Sequence, residues 1–493
     1  MKQLINEGGK YSMAQIVDFL NGILWSKIFI AFALLSGVYY TFGTKFIQFR
    51  KIKLMVKFML NRDSSKEGVS SFQALALSLA GRVGTGNIAG VASAIALGGP
   101  GAVFWMWILA LLGSATTFVE CTLGQIFKTV DKGEFRGGPA YFIEKGLGIK
   151  WYALLFAFAS AIALGFCTPG IQSNAIVSAM EGAFGVNRVV MGAVLTILVA
   201  IVIFGGVKRI SKVAEVIVPV MALLYIAVAL VILVANASQI PAVFSLIVKS
   251  AMGTEQAFAG IVGSAISMGV KRGIYSNEAG MGTAVQAAAA ADVSHPVKQG
   301  LVQSFSVYID TLFVCTATAF MIIVTGMYNV STGVEGFIVE KLPGVEAGPV
   351  FVQKAVETVL PGFGPSFIAI SLLFFAFTTI LGNYYAAETN IAYIGSKMKI
   401  GWLLNGLRVV TLIAVFTSAT RSANLAWAIG DVGVGTMSWL NLIAIALLSK
   451  IAFKALKDFE SQYKLTGDAF FDPVKLGIKN ADFWEQKEES KSA

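Results

Sequence analysis

Charge is scarce in this chain. Asp, Glu, Lys and Arg make up 13% of the 493 residues, about half the roughly 25% of a soluble domain. With apolar residues at 56% and a mean hydropathy of +0.73, that deficit excludes an ordinary soluble globule and leaves a polytopic membrane protein. Histidine is nearly absent. His295 stands alone, which argues against multi-histidine metal chemistry. The three cysteines, Cys121, Cys167 and Cys315, lie in apolar segments without pairing or metal spacing, so no disulfide framework is implied. The net charge of +10 comes from basic residues dispersed between apolar runs, and no nucleic-acid partner is expected. Nor do the first twenty residues show the basic start, apolar core and small-residue exit of a cleavable signal peptide.

What the chain has instead is long apolar runs and glycine. Residues 81–90 read Gly81-Arg82-Val83-Gly84-Thr85-Gly86-Asn87-Ile88-Ala89-Gly90, in the middle of an apolar segment. Each glycine in a helix costs about 0.5–1 kcal/mol relative to alanine, so this density predicts a break. Unwound backbone at membrane depth is tolerated only where it is buried in protein or lines a cavity. A discontinuous spanning helix is therefore the mark of a transporter binding site, with free amides for anions and free carbonyls for cations. The chain reads as a carrier.

Eleven apolar segments approach the roughly 20 residues needed to cross the hydrocarbon core. They lie near 23–43, 70–98, 101–127, 151–179, 188–206, 213–236, 255–285, 299–326, 364–395, 402–420 and 424–449, and Lys271, Arg272 and Glu278 interrupt the seventh. The loop after the first segment carries Lys45, Arg50, Lys51, Lys53, Lys57, Arg62 and Lys66. With that loop cytoplasmic, the same side receives Lys128, Lys132, Arg136, Lys145 and Lys150, then Lys208, Arg209 and Lys212. Lys271, Arg272, Lys298, Lys397, Lys399 and the tail from Lys450 follow on that side. The opposite loops hold only Arg188, Lys249, Lys341, Lys354 and Arg421. This asymmetry predicts an N-terminus outside and a C-terminus in the cytoplasm.

One peripheral span followed by ten suggests two groups of five, and because five is odd the groups must be inverted relative to each other. The expected division is 1–69 for the N-terminal span and basic loop, 70–236 and 255–449 for the two repeats, and 450–493 for a cytoplasmic tail. Each repeat opens on a helix rich in small residues: Gly84-Thr85-Gly86-Asn87 in one, Gly263-Ser264-Ala265-Ile266-Ser267-Met268-Gly269 in the other. A second break is expected there, with Ser264 beside the substrate. Close helix packing through small residues is the competing explanation of the second stretch.

The stretch Val83-Gly84-Thr85-Gly86-Asn87-Ile88-Ala89-Gly90-Val91-Ala92 resembles the signature of the alanine or glycine:cation symporter family of prokaryotes. So do Gly98-Gly99-Pro100-Gly101-Ala102-Val103-Phe104-Trp105-Met106-Trp107 and Arg272-Gly273-Ile274-Tyr275-Ser276-Asn277-Glu278-Ala279-Gly280-Met281-Gly282. The likeness extends from about Phe72 to Leu448 in order. It implies a LeuT-type fold, all-α and five-plus-five, in the lipid bilayer of the cell membrane, and sodium-coupled uptake of a small neutral amino acid.

The substrate that the resemblance implies is a zwitterion. Its carboxylate needs backbone N–H groups at the N-terminal end of a half-helix, which Gly84, Thr85, Gly86 and Asn87 can supply. Its ammonium needs oxygen acceptors. Gln172, loosened by Pro169 and Gly170, matches a family position thought to touch substrate, although a polar residue in a span also serves as a hydrogen bond between helices. The LeuT-type arrangement puts sodium between the unwound first core helix and hydroxyls on the eighth. Here that means carbonyls of Ala80 and Val83 with Thr378 and Thr379, against the usual tendency of threonines to bond back to their own helix.

Arg82 precedes the break and needs a counter-charge, for which Asp310 and Asp431 are the candidates among the intramembrane acids Glu120, Glu215, Asp310, Glu388 and Asp431. Glu278 is expected to latch onto Lys271 or Arg272, and Phe104, Trp105 and Trp107 to anchor at the interface. Thr378-Thr379-Ile380-Leu381-Gly382-Asn383-Tyr384-Tyr385 resembles a family motif in which the alanine-type members place tryptophan where Asn383 stands here. A buried amide favours a ligand that can pair with it, which tilts the substrate from alanine or glycine towards glutamine. The alternative is that Asn383 faces elsewhere. A channel would call for a symmetric pore or a ring of charges, and an enzyme for a catalytic cluster; neither is visible. Proton coupling is the rival within the carrier class, and the neutral oxygen donors favour sodium.

Overall fold

Helix follows from the apolar runs, because in lipid every backbone N–H and C=O must be bonded within its own segment. The computed structural model describes residues 13–65, 67–332, 336–420 and 423–486. Lys66 and Arg421 of the charge count, and the outer ends of both terminal segments, lie outside the described residues. Among the described residues seven helices are long and apolar enough to cross a membrane: Ala14–Gly43, Gly101–Ile126, Lys150–Phe184, Gly206–Ala235, Pro296–Thr325, Gly364–Met398 and Trp427–Thr466. Two shorter apolar helices, Arg188–Ile203 and Leu403–Ser418, have 16 residues each. The chain is mostly helical, with two short hairpins in the connections, Thr129–Asp131 with Glu134–Arg136 and Asn329–Ser331 with Phe337–Glu340. A helix not expected from the sequence, Ile240–Met252, precedes the second broken helix.

The first broken helix starts on a reciprocal cap. Ser70 Oγ accepts from the Gln73 amide at 3.1 Å and the Gln73 side chain accepts from the Ser70 amide at 3.1 Å, satisfying two orphan donors. Helix Ser71–Arg82 then gives way at Val83, and the chain resumes as a π-type turn, Gly86–Gly90, leading into Val91–Gly98. The break therefore falls where the glycines predicted it.

The second break does not. Val262–Asn277 is a continuous helix through the small-residue stretch, and within it Gly269 serves packing: a Cβ there would lie 2.6 Å from the Ala102 carbonyl oxygen. The interruption comes at Glu278, in the left-handed region at φ 56, and helix resumes at Ala284–Ala290. Glu120 and Asn441 brace this break. The Gly280 amide donates to Glu120 Oε1 at 3.3 Å, and Asn441 Nδ2 donates to Glu120 Oε2 at 2.8 Å and to the Gly280 carbonyl at 2.9 Å.

Around the breaks, Gly101–Ile126 packs on Val262–Asn277 and Pro296–Val307, while Gly364–Met398 packs on Ser71–Arg82 and Thr168–Phe184. The contact with Ser71–Arg82 is backbone to backbone, since a Cβ on Gly382 would lie 2.6 Å from the Gly81 nitrogen. That close approach places Thr379 and Asn383 at the first break.

Candidate functional site

A small cavity lies between the two breaks. Gly81, Arg82, Gly84, Gly86, Leu164, Thr168, Gln172, Tyr275, Glu278, Met281, Thr379, Asn383 and Val434 line it. Its free room for the centre of a water-sized sphere is about 10 Å³, roughly what one water needs, so the side chains around it are closely drawn together.

Five of the eleven residues expected at the site line it: Gly84, Gly86, Gln172, Thr379 and Asn383. The amide of Gly84 donates to Asn87 Oδ1 at 2.8 Å and that of Thr85 to Gln172 Oε1 at 3.1 Å. Two side-chain amide oxygens thus occupy the acceptor positions that the break offers. Asn87 then donates to Asp310 Oδ1 at 2.6 Å, and Ser276 donates to the same carboxylate at 2.9 Å. Thr311 completes the set at 2.7 Å. Asp310 therefore ties the first broken helix to the last turns before the second break.

Of the proposed sodium donors, Thr379 Oγ reaches the Val83 carbonyl at 3.3 Å while also bonding the Phe375 carbonyl of its own helix at 2.9 Å. Ala80 is buried against Gly382. Thr378 is buried, but its hydroxyl bonds back to the Phe374 and Phe375 carbonyls, each at 3.0 Å. Asn383 faces the cavity and donates to Thr168 Oγ at 3.0 Å.

Several expectations need correction. Ser264 is exposed, within the intact helix and outside the cavity. Arg82 has neither Asp310 nor Asp431 within ion-pair distance; Nη1 donates to the Ser306 hydroxyl and to the Gln303 carbonyl at 3.3 Å. Asp431 is taken by Lys271 at 2.6 Å and Arg272 at 3.2 Å. Glu278 consequently latches onto neither cation. It lines the cavity and accepts from Thr283 Oγ at 2.7 Å.

Lys271 and Arg272, expected on the side of the 45–66 loop, lie away from it instead. Their partner Asp431 receives Trp25 Nε1 on its carbonyl at 3.0 Å, whereas the 45–66 segment meets the far end of the same long helix, through Arg50 and Glu460 at 2.5 Å. Among the other acids, Glu388 pairs with Arg136 at 3.7 Å and Glu215 accepts from Gln73 at 3.0 Å. Trp107 donates to Thr316 at 2.9 Å and stacks on Phe244, away from the cavity.

Leu164, Thr168, Tyr275, Met281 and Val434 escaped the sequence reading. One signal was present: Leu164, Thr168 and Gln172 recur every four residues, one face of a helix. Tyr275, Met281 and Val434 carry no such mark, because only the packing of three segments brings them together.

Comparisons with known proteins are consistent across the chain. The model of the sodium:alanine symporter family matches residues 10–472. YrbD of Bacillus subtilis (strain 168), whose name proposes a sodium/proton-dependent alanine carrier, is 58% identical over 96% of this chain and 98% of that one. GlnT of the same organism, whose name proposes a sodium/glutamine symporter, is 46% identical over 93% of each chain. The sodium/alanine symporter AgcS of Methanococcus maripaludis is 38% identical over 90% of this chain and 96% of that one. In three dimensions the chain is similar to MhsT, crystallised with L-phenylalanine, with a TM-score of 0.54 over 80% of this chain and 99% of that one, at 14% identity. That likeness is one of fold.

Proposed function

The chain belongs to the sodium:alanine symporter family, as a membrane carrier that couples an amino acid to sodium rather than an enzyme, and from this premise we propose that it imports a small neutral amino acid by alternating access at the cavity between its two breaks. The observation that carries the substrate site is the pair of amides at Gly84 and Thr85, each facing an amide oxygen that a carboxylate could replace. Gly86 and Asn87 complete the cradle, with Gln172 released to help hold the ammonium. Sodium lies between the Ala80 and Val83 carbonyls and the hydroxyls of Thr378 and Thr379. The Thr379 contact with Val83 supports this assignment.

The proposed topology has eleven spans: the seven long helices, the two of 16 residues and the two broken ones. A 16-residue helix is about 24 Å long, enough to cross most of the hydrocarbon core of about 30 Å. Residues 70–236 and 255–449 form the inverted repeats, in the plasma membrane, with the N-terminus outside and the tail in the cytoplasm.

Among the candidate substrates, Asn383 at the cavity favours glutamine over alanine or glycine, by about threefold to tenfold if a single neutral hydrogen bond is responsible. The decisive measurement is uptake of labelled glutamine, alanine and glycine into proteoliposomes. Accumulation is expected with an inward sodium gradient and not without it. Uptake driven equally well by a proton gradient in sodium-free buffer would overturn the coupling. Proton coupling is the second reading, supported by the Glu278 carboxylate at the cavity wall.

The two threonines are expected to differ. Thr379→Ala should raise the sodium concentration for half-maximal uptake by about tenfold or more, as loss of an oxygen donor to a charge costs roughly 1.5–3 kcal/mol. Substrate affinity at saturating sodium should change much less. Thr378→Ala should have the smaller effect, because Thr379 lines the cavity and reaches the Val83 carbonyl, whereas the Thr378 hydroxyl bonds only to carbonyls of its own helix. Equal effects of both, or none from Thr379→Ala, would remove Thr379 from the sodium site.

A further inference from the structure

The segment after the last long helix is a built part of the face that carries the 45–66 loop. Helix Ala423–Thr466 ends at Gly467, whose φ of +75 turns the chain back. Residues Ala469, Phe471, Ala481 and Trp484 beyond it are buried, Trp484 at 2% exposure. Phe470 and Val474 are exposed, but a segment with four apolar side chains buried in this way is docked rather than dangling.

What it docks on is the inner end of the second broken helix. Ser294 Oγ donates to the Ala469 carbonyl at 2.8 Å, the Phe471 amide donates to the Ser294 carbonyl at 3.1 Å, and Lys298 pairs with Asp468 at 2.5 Å. Further along, Trp484 Nε1 donates to the Gln125 carbonyl at 2.9 Å. Trp484 also helps enclose Lys128, whose ammonium lies 4.1 Å from the Phe135 ring centroid and 5.3 Å from that of Trp484. Lys128 in turn donates to the Ala291 carbonyl at 2.9 Å.

The same short stretch joins the two broken helices. The Val69 amide donates to the Ala290 carbonyl and the Asp292 amide to the Val69 carbonyl, each at 2.9 Å. Val69 immediately precedes the Ser70 cap of the first broken helix, so residues 290–294 hold its inner end as well. Opening the cavity towards this face requires the inner half-helices to part from their surroundings. Every such movement pulls on residues 290–294, and so on the tail.

We propose that residues 467–486 form a strap that holds the inner halves of both broken helices closed, with Ser294 and Trp484 as its anchoring points. It biases the carrier against the state open to the 45–66 face. The inference rests on alternating access and not on the identity of substrate or ion. Each neutral hydrogen bond shifts such an equilibrium by about twofold to tenfold, so several together set the resting population.

The test reads accessibility rather than transport, so its result is independent of the substrate assignment. In purified full-length protein with Cys121, Cys167 and Cys315 replaced by alanine, Ser78→Cys places a thiol one turn before Gly81. Ser78 is 3% exposed and its hydroxyl has no hydrogen-bond partner, so the thiol is tolerated. Reaction with a hydrophilic maleimide is compared with that in Trp484→Ala, each protein being monodisperse by size exclusion. The strap predicts labelling faster by about threefold or more, since removing a differential contact shifts the population. Unchanged or slower labelling overturns it. If Trp484→Ala aggregates, the double variant Ser294→Ala, Asp468→Asn decides instead. It cuts two ties while removing little buried volume, and about twofold faster labelling supports the strap whereas none refutes it.

Discussion

Gly84→Ala is expected to lower sodium-driven uptake by about a hundredfold or more while leaving the protein folded and inserted. A Cβ at this position would overlap Thr379 Oγ and lie 3.1 Å from Gln172 Oε1. Overpacking of this kind costs about 1–3 kcal/mol or more, and roughly 2.7 kcal/mol is a hundredfold in an equilibrium constant. Relief demands that Thr379 withdraw and that the Gln172 side chain give way as well. The first movement separates Thr379 from the Val83 carbonyl, the second strips the Thr85 amide of its acceptor. Both proposed sites are damaged by one methyl group. Gly86→Leu should be equally severe, its Cβ falling 3.3 Å from the Ser276 Cα. Proteoliposome uptake alongside a size-exclusion profile checks both. Uptake at ordinary affinity in either variant would show that the backbone there does not cradle the substrate.

The second large effect concerns selectivity. Asn383→Trp should abolish the preference for glutamine, cutting its uptake by roughly tenfold or more, while alanine or glycine uptake survives. The indole would fill the side of the cavity where Asn383 now meets Thr168, and discrimination by missing space is worth about 1–3 kcal/mol per methylene. Loss of the amide also strands the Thr168 hydroxyl, so Asn383→Ala serves as the control. It removes the same hydrogen bond without adding bulk, and should weaken glutamine uptake without excluding it. A competition profile of the three amino acids that is the same in wild type and Asn383→Trp would mean that Asn383 does not contact substrate, and glutamine would lose its support from this residue.

The sequence was most legible where chemistry is local. The glycines at 81–90 weaken helix wherever they stand, and the break is found at Val83 to Thr85. The adjacent Thr378 and Thr379 and the amide of Asn383 lie on the helix that meets it. The second break was misread because small residues serve two ends: Gly269 admits a neighbouring helix, while the true interruption at Glu278 depends on Glu120 and Asn441 from distant segments. Ser264 was misplaced for the same reason. The partners of the buried charges were illegible too. Which cation finds Asp431 is settled by helix packing, and Lys271 and Arg272 reach it before Arg82 can.

By itself, then, the sequence determined that the chain is a membrane carrier, where its first core helix opens and which polar residues are available there, because hydropathy and backbone propensity act within a segment. Only the tertiary structure decided which of those groups face one cavity, that Asp310 joins the two broken helices, and that the charged tail is docked instead of free. These are contacts between residues 34 to 359 positions apart, and they exist only once close packing has chosen each neighbour.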